Sequence, residues 1–326
     1  RSFGNRHVWG FLLAAGLIGG AFLASPPRFR ILADETNLLG IASAMYDRNQ
    51  IHNPTQQIFY YQGICETISS EYDIRPLFYP FLIYLAHAVL GYSGYNSFVV
   101  NAVMGLFSLF FFYLLLERWF GRFWGSVGML TLSAFPVFIL WVTSGGYEIA
   151  NLCFILLSFV VLDRVLQRGR ARDAEFLWLT SVLLAQIRYE SVLFFVVFLP
   201  VVLLSLKREE IKCFTVRTMI LPALFLPIVW QRQMLTAERY LLPGIKEVFS
   251  VEYFFTHLAG AWGYFTGSRA SYGTIPILFC GAVVGLVFLV LWSILHFRKL
   301  TRRHLCLGWA FAGSLHLYAA ILFSYY

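Results

Sequence analysis

The chain has 326 residues, of which 59% are hydrophobic and only 13% are charged. A soluble domain carries about 25% charged residues, so this composition excludes an ordinary soluble protein. The net charge of +8 comes from short basic clusters between apolar runs, which is the positive-inside pattern of membrane proteins and argues against nucleic-acid binding. We therefore predict an all-α fold, a polytopic membrane helical bundle with about nine transmembrane helices. Residues 1–326 are expected to form a single integral-membrane domain.

The first apolar run, from Val8 to Ser25, is long enough to cross a bilayer, and Pro26 and Pro27 end it. Basic residues lie before this run, which predicts a cytoplasmic N-terminus. Further along the chain, basic clusters alternate with polar segments. The alternation predicts exoplasmic segments at about residues 26–97, 143–149, 186–191 and 231–272.

Two helices that do not cross the membrane are predicted within the first exoplasmic segment. Apolar residues recur at helical spacing between positions 38 and 45, which indicates an amphipathic helix lying on the membrane. Asp34 and Thr36 precede these residues and are of the types that cap helices. A second helix is expected after Pro76 as an interfacial or re-entrant element, because the apolar run that ends at Leu90 is short and contains two prolines.

The remaining apolar runs predict the other spans. Six of them lie at about residues 98–116, 125–142, 149–162, 218–230, 275–297 and 305–323. The stretch 176–206 is too long for one span, has basic residues on both sides and is interrupted at Gln186–Glu190. It therefore predicts a hairpin of two short helices whose polar tip reaches the exoplasmic face.

Charged side chains gather on the predicted exoplasmic side. They include Asp34, Glu35, Arg75, Glu148, Arg188, Glu190, Arg232 and Arg269. A charge at mid-membrane costs about 2.5–3.5 kcal/mol, so we expect Arg188 and Glu190 to pair or to line a polar cavity. An ionised carboxylate can take a proton from a hydroxyl or amine nucleophile, and arginines can hold a departing phosphate. Such a cavity suits a reaction in which a hydroxyl or amine is activated and a lipid phosphate is the leaving group.

Five short motifs occur in an order that resembles the GT-C glycosyltransferases, in the branch of the protein O-mannosyltransferases and the lipid A aminoarabinose transferases. The motifs are Asp34-Glu35, Arg75-Pro76-Leu77-Phe78-Tyr79-Pro80, Phe120-Gly121-Arg122, Ser133-Ala134-Phe135-Pro136 followed by Glu148, and Arg188-Tyr189-Glu190. The resemblance covers about residues 8–205. Beyond that point only the hydropathy agrees.

The resemblance implies an inverting enzyme that moves a sugar from a polyprenyl-phosphate-linked donor to an exoplasmic lipid, glycan or protein. Asp34 would be the general base, with Glu35 and Glu148 as further catalytic residues. Arg75, Arg188, Arg232 and Arg269 would bind the donor phosphate, supported by Tyr79, Tyr189 and Glu190. We expect a multi-pass protein of the bacterial cytoplasmic (inner) membrane, with an exoplasmic active site and membrane lipids and a membrane protein as partners.

Each of these roles has a structural alternative that the residues leave open. Asp34 would then only cap its helix, Arg75 would anchor at lipid headgroups, and Arg188 and Glu190 would form a structural ion pair. Glu35 would orient its neighbour or bind a metal. The histidines at positions 52, 87 and 257 lack ligand spacing, so no metal site is predicted from them. No cofactor is implied, and a divalent cation stays open.

Two other functions compete with the enzyme. A transporter or flippase for a lipid-linked sugar would show internal repeats and polar residues at the membrane midplane. The chain shows no repeat, and its polar residues fall near the predicted outer face. A non-catalytic subunit of a larger membrane complex would keep the helical scaffold without the activity.

Overall fold

The computed structural model describes residues 7–52, 57–61, 64–68, 75–212, 250–266 and 301–324, together with single positions between 226 and 291. The spans predicted at 218–230 and 275–297 lie wholly or mostly outside these residues. So do Arg232 and Arg269, two of the predicted phosphate-binding residues.

Eleven helices and one β-hairpin occur in the described part of the chain. The helices are α1 (Val8–Ala24), α2 (Leu32–Arg48), α3 (Phe78–Leu90), α4 (Asn96–Phe120), α5 (Arg122–Ser133), α6 (Pro136–Val142), α7 (Glu148–Arg168), α8 (Ala171–Ile187), α9 (Val192–Ser205), α10 (Val251–Phe265) and α11 (Arg302–Ser324), and the strands are β1 (Gln57–Tyr61) and β2 (Ile64–Ile68). A short 3-10 turn, Tyr189–Ser191, lies between α8 and α9.

Three of the described helices, α4, α7 and α11, are long and apolar enough to cross a membrane, and the bent pair of α5 and α6 makes a fourth if it counts as one span. This confirms the predicted helical, polytopic membrane protein. The total of about nine spans stays a prediction. The helix predicted after Pro76 is α3, which has 13 residues and is therefore about 20 Å long, too short to cross about 30 Å of hydrocarbon.

The predicted third span is not one straight helix. It is divided into α5 and α6, which meet at an angle of 73°. Pro136 is the first residue of α6 and has no N–H to donate, and Phe135 before it adopts an extended conformation. The hydropathy of residues 125–142 therefore correctly located an apolar segment, but the proline within the segment changes its direction.

Helix α2 differs from the prediction at its start and on its apolar face. It begins at Leu32, so Asp34 lies inside the first turn, and the residue before the helix, Ile31, makes no side-chain cap. The prediction that Asp34 or Thr36 caps the helix is therefore wrong. Leu38 on its apolar face is buried in a protein core and does not lie against the membrane surface.

The β-hairpin was not predicted. Its strands pair antiparallel, with Gln57 opposite Ile68 and Tyr61 opposite Ile64. The strand residues are mostly β-branched or aromatic, which favours an extended backbone. The sequence therefore contained a local signal for strands, which the prediction of an all-α fold did not take into account. A second difference is α10, which lies within the segment predicted as the fourth exoplasmic loop.

The chain divides into two compact units. The first contains residues 1–160, 182–189 and 224–235, and the second contains 161–181, 190–223 and 236–326. The first unit has two described cores. One joins α1, α4, α5, α6 and the start of α7, and the other joins α2, α3 and α4 to Ala150 and Ile187. The second core includes Tyr79, which also belongs to the polar network described below.

In the second unit, a buried ion pair attaches α11 to the end of α7. Arg303 donates to Asp163 Oδ1 from Nε at 2.9 Å and from Nη2 at 2.6 Å, and Gln167 donates to Oδ2 at 2.9 Å. The carboxylate of Asp163 is fully buried. In the sequence Arg303 belongs to a short basic cluster between two apolar runs, and the structure gives it a tertiary partner.

Replacing Arg303 by methionine should lower the free energy of unfolding by about 3 kcal/mol, because a buried carboxylate loses its cation. The measurement is thermal or denaturant unfolding of the purified protein in detergent. Arg302→Met is the matched control: Arg302 is exposed and donates to the Leu204 carbonyl. Equal losses for the two variants would contradict the assigned role of the Asp163–Arg303 pair.

Candidate functional site

Asp34 forms an ion pair with Arg75 near the start of α2. A guanidinium nitrogen of Arg75 contacts Asp34 Oδ1, and Nη1 donates to the Asp34 carbonyl at 3.4 Å. The first turn of a helix favours negative charge, and α2 places Asp34 there. The side chain of Asp34 is 42% exposed and that of Arg75 is 23% exposed. The carboxylate is therefore held by a cation and still reachable from outside.

Glu35, the next residue, is buried and accepts hydrogen bonds from three backbone N–H groups. Its oxygens accept from Arg30 at 3.2 Å, from Ile31 at 3.2 Å and from Gly145 at 2.8 Å. Only 3% of the residue is exposed. The first two bonds satisfy backbone donors beside the start of α2, and the third joins α2 to a loop more than a hundred residues away.

That loop, residues 143–147 between α6 and α7, is called the Gly-Gly loop here. Three successive carbonyls in it, those of Ser144, Gly145 and Gly146, accept hydrogen bonds from buried side chains. Asn101 in α4 donates to Ser144 at 2.7 Å and to Gly146 at 2.8 Å. The Tyr79 hydroxyl lies 2.9 Å from the Gly145 carbonyl. The loop is therefore held through both a backbone N–H group and its backbone carbonyl groups.

The Tyr79 hydroxyl also lies 2.9 Å from Asn101 Oδ1, so one hydroxyl proton serves two acceptors. Tyr79 is fully buried and belongs to α3, which is not among the spanning helices. Burial, followed by the negative charges of Glu148 and Glu35, raises the pKa of Tyr79 well above its ordinary value. The side chain is therefore a neutral donor at physiological pH.

Glu148 begins α7 directly after the Gly-Gly loop. Its carboxylate lies against Gly146, where a Cβ atom would stand 2.3 Å from Glu148 Oε2. The positive charge of Arg188 acts on this carboxylate, and so do the negative charges of Glu35 and Asp34. The Arg188 guanidinium also lies over the Tyr147 ring, 5.8 Å from its centroid, at cation–π distance.

The structure thus brings together most of the predicted site residues of the first unit. Asp34 and Glu35 lie on α2, Tyr79 on α3 and Glu148 on α7, whereas Arg75 precedes α3 and Arg188 directly follows α8. Tyr189 opens the short turn after Arg188. Glu190 belongs to the second unit, and Arg232 and Arg269 lie outside the described residues.

Two positions of the network were missed by sequence reasoning. Asn101 is a polar residue within an apolar span. Polar residues in such spans usually face protein or a cavity, so the sequence did contain a signal for this position. Arg30 donates to the Leu140 carbonyl at 3.1 Å and to Thr143 Oγ1 at 2.8 Å, at the end of α6. These partners lie more than a hundred positions away in the sequence, so no local signal distinguished it. Among the described residues, no group of three or more potential metal ligands occurs.

Comparison with known protein families finds a match in the middle of the chain. Residues 74–230 match the family model described as dolichyl-phosphate-mannose-protein mannosyltransferase. No curated protein matches the chain. A crystal structure of ArnT from Cupriavidus metallidurans in the apo state is similar, with 14% sequence identity and a TM-score of 0.48. That similarity covers 96% of this chain and 59% of the ArnT chain, so this chain spans less than two thirds of its length.

The matched segment contains four of the five motifs, from Arg75 to Glu190, and does not include Asp34 and Glu35. These two residues are connected to it by direct contacts, through Arg75 for Asp34 and through Gly145 for Glu35. The family match over residues 74–230 supports the resemblance to GT-C superfamily glycosyltransferases that the ordered motifs predicted.

Proposed function

We propose that this membrane protein transfers a sugar from a polyprenyl-phosphate-linked donor to an exoplasmic lipid, glycan or protein, with inversion at the anomeric carbon. The observation that carries the proposal is the reachable Asp34 carboxylate, held by Arg75 in the same unit as Glu148 and Arg188. The match to a mannosyltransferase family over residues 74–230 supports the reaction type. The proposal places the site in the bacterial inner membrane, facing the exoplasm.

In the proposed reaction, an acceptor oxygen or nitrogen attacks the anomeric carbon of the donor. Its proton passes to Asp34, whose Oδ1 is already bonded to Arg75 and whose Oδ2 therefore receives the proton. The bond between the anomeric carbon and the phosphate oxygen breaks, and its electron pair leaves with the polyprenyl phosphate. The products are the glycosylated acceptor and a lipid monophosphate.

The leaving phosphate needs positive charge in the transition state. We assign this role to Arg75 and Arg188, and the sequence motifs add Arg232 and Arg269. Guanidinium groups suit it because they bond two phosphate oxygens at once. Arg188 is oriented by the Tyr147 ring, with Tyr189 and Glu190 following it in the chain.

The two remaining acidic residues receive different roles in the proposal. Glu35 is buried and its oxygens accept three backbone N–H bonds, so it acts by positioning the Gly-Gly loop and does not react. Glu148 is the carboxylate that this loop presents, and we place it on the acceptor side. A bound acceptor hydroxyl would be oriented there by this carboxylate, on which the positive charge of Arg188 also acts.

The function can be tested with the purified protein in liposomes that contain polyprenyl-phosphate sugars. Release of polyprenyl phosphate together with a glycosylated acceptor would support the transferase. Movement of the intact donor between leaflets, with no bond broken, would overturn the proposal in favour of a flippase. Stoichiometric co-purification with other membrane proteins, without sugar turnover in the complex, would overturn it in favour of a non-catalytic subunit.

Replacing Gly146 by alanine should lower transfer by about 100-fold, because small displacements of a positioned group have effects of that size. The added Cβ would meet Glu148 Oε2 at 2.3 Å and force this carboxylate to move. The measurements are the kcat for sugar transfer and the unfolding temperature of the variant and the wild type. Gly94→Ala is the control, since its Cβ would meet no atom nearer than 3.8 Å. Unchanged kcat in Gly146→Ala would remove Glu148 from the site.

A further inference from the structure

Asn101 is the buried residue around which the Gly-Gly loop is held. It lies in α4, is fully buried, and uses both ends of its amide. Nδ2 donates to the carbonyls of Ser144 and Gly146 at 2.7 and 2.8 Å, and Oδ1 is 2.9 Å from the Tyr79 hydroxyl. A buried amide without such bonds would be unfavourable, so the network fixes both the amide and the loop.

The orientation of the amide follows from its neighbours. Carbonyl oxygens surround one end and can only accept, so that end must be the NH₂ group. The other end faces a hydroxyl that stays protonated, because burial raises the pKa of Tyr79. Reversing the amide would place an oxygen against two carbonyls. The side chain therefore has one favourable arrangement, and the loop backbone follows it.

The loop in turn determines where Glu148 stands. Gly146 accepts a hydrogen bond from Asn101 through its carbonyl, and its α-carbon lies against the Glu148 carboxylate. On the opposite side, the Gly145 N–H is held by Glu35. Two adjacent glycines are thus held between a buried amide and a buried carboxylate. Movement of either glycine would move Glu148 relative to Asp34.

We propose that Asn101, assisted by the Tyr79 hydroxyl, is a positioning residue that holds the Gly-Gly loop and so aligns Glu148 with Asp34. The loop geometry stands on the contacts alone, and its effect on catalysis rests on the proposed glycosyltransferase function. Because Asn101 is fully buried, the proposal gives it no direct contact with donor or acceptor. Its replacement should therefore act through kcat and through the mobility of the loop, and should leave the KM for the donor within about twofold of the wild type.

The test compares Asn101→Leu with Asn96→Leu in the full-length protein. Both residues are buried asparagines in α4, but the Asn96 amide bonds His87 and the Gly91 carbonyl, which lie outside the loop. Hydrogen exchange measured by mass spectrometry on peptides covering residues 143–148 reports the loop directly. We expect at least tenfold faster exchange there in Asn101→Leu, and wild-type exchange in Asn96→Leu. A fall in kcat of about 100-fold should accompany the first change only.

Tyr79→Phe serves as a second, milder variant, because it removes one hydroxyl and keeps the buried ring. It should speed exchange in the same peptides by a smaller factor, and it decides the question if Asn101→Leu fails to fold. Wild-type exchange at residues 143–148 in the folded variants would overturn the proposal. Faster loop exchange, in a protein whose wild type shows no sugar transfer, would support the positioning of the loop and overturn the glycosyltransferase function.

Discussion

Replacing Asp34 by asparagine should lower kcat for sugar transfer by about 10²- to 10⁴-fold, the range that a general base contributes. The amide has the shape of the carboxylate but cannot take the proton from the attacking nucleophile. It can still accept a hydrogen bond from Arg75, so the local structure should persist. The measurement is the rate of polyprenyl phosphate release at saturating donor and acceptor, beside the unfolding temperature.

Asp47→Asn provides the matched control for this experiment. Asp47 lies on the same helix, α2, but is exposed near its end, where Ser43 donates to its carboxylate at 3.3 Å. It should keep wild-type kcat. If Asp34→Asn also keeps full kcat in a folded protein, Asp34 is not the base, and the structural role of holding Arg75 would be all that remains for it.

Replacing Glu35 by leucine should have the largest effect on stability, a loss of about 3 kcal/mol or more in the free energy of unfolding. The substitution leaves the N–H groups of Arg30, Ile31 and Gly145 without their acceptor. A buried donor that loses its partner has an unfavourable free energy of about 1–3 kcal/mol, and three donors are affected here. The measurement is denaturant or thermal unfolding in detergent.

Glu35→Gln tests the charge separately, since an amide oxygen can still accept from Gly145. We expect it to lie between Glu35→Leu and the wild type in stability. Thr36→Ala is the control, because Thr36 is the next residue on α2 and is exposed. Wild-type stability in Glu35→Leu would show that the three hydrogen bonds do not stabilise the fold, and would remove the positioning role proposed for Glu35.

Several features of the site were within reach of the sequence. The order of the motifs indicated the resemblance to this family, and the family match over residues 74–230 supports it. The polar interruption at Gln186–Glu190 correctly located the boundary between α8 and α9. The division of the third apolar run at Pro136 was equally visible in the sequence, because proline has no N–H and restricts the residue before it.

The sequence could not show which polar side chains are buried, and the adjacent residues Asp34 and Glu35 illustrate why. Asp34 and Glu35 differ by one position on α2, yet one is 42% exposed at the side chain and the other is 3% exposed as a residue. A rotation of about 100° between consecutive helical residues produces this difference. Which of the two faces the interior depends on the partners of α2, above all on the loop that contains Gly145.

By itself, the amino-acid sequence determined that this chain is a helical membrane protein with polar segments between its apolar runs. Hydropathy is a sum over neighbouring residues, so it needs no knowledge of the fold. Only the tertiary structure decided that Arg75 pairs with Asp34 across 41 positions and that Glu35 bonds Gly145 across 110 positions. Contacts at such separations depend on how the helices pack, and packing is a property of the assembled chain.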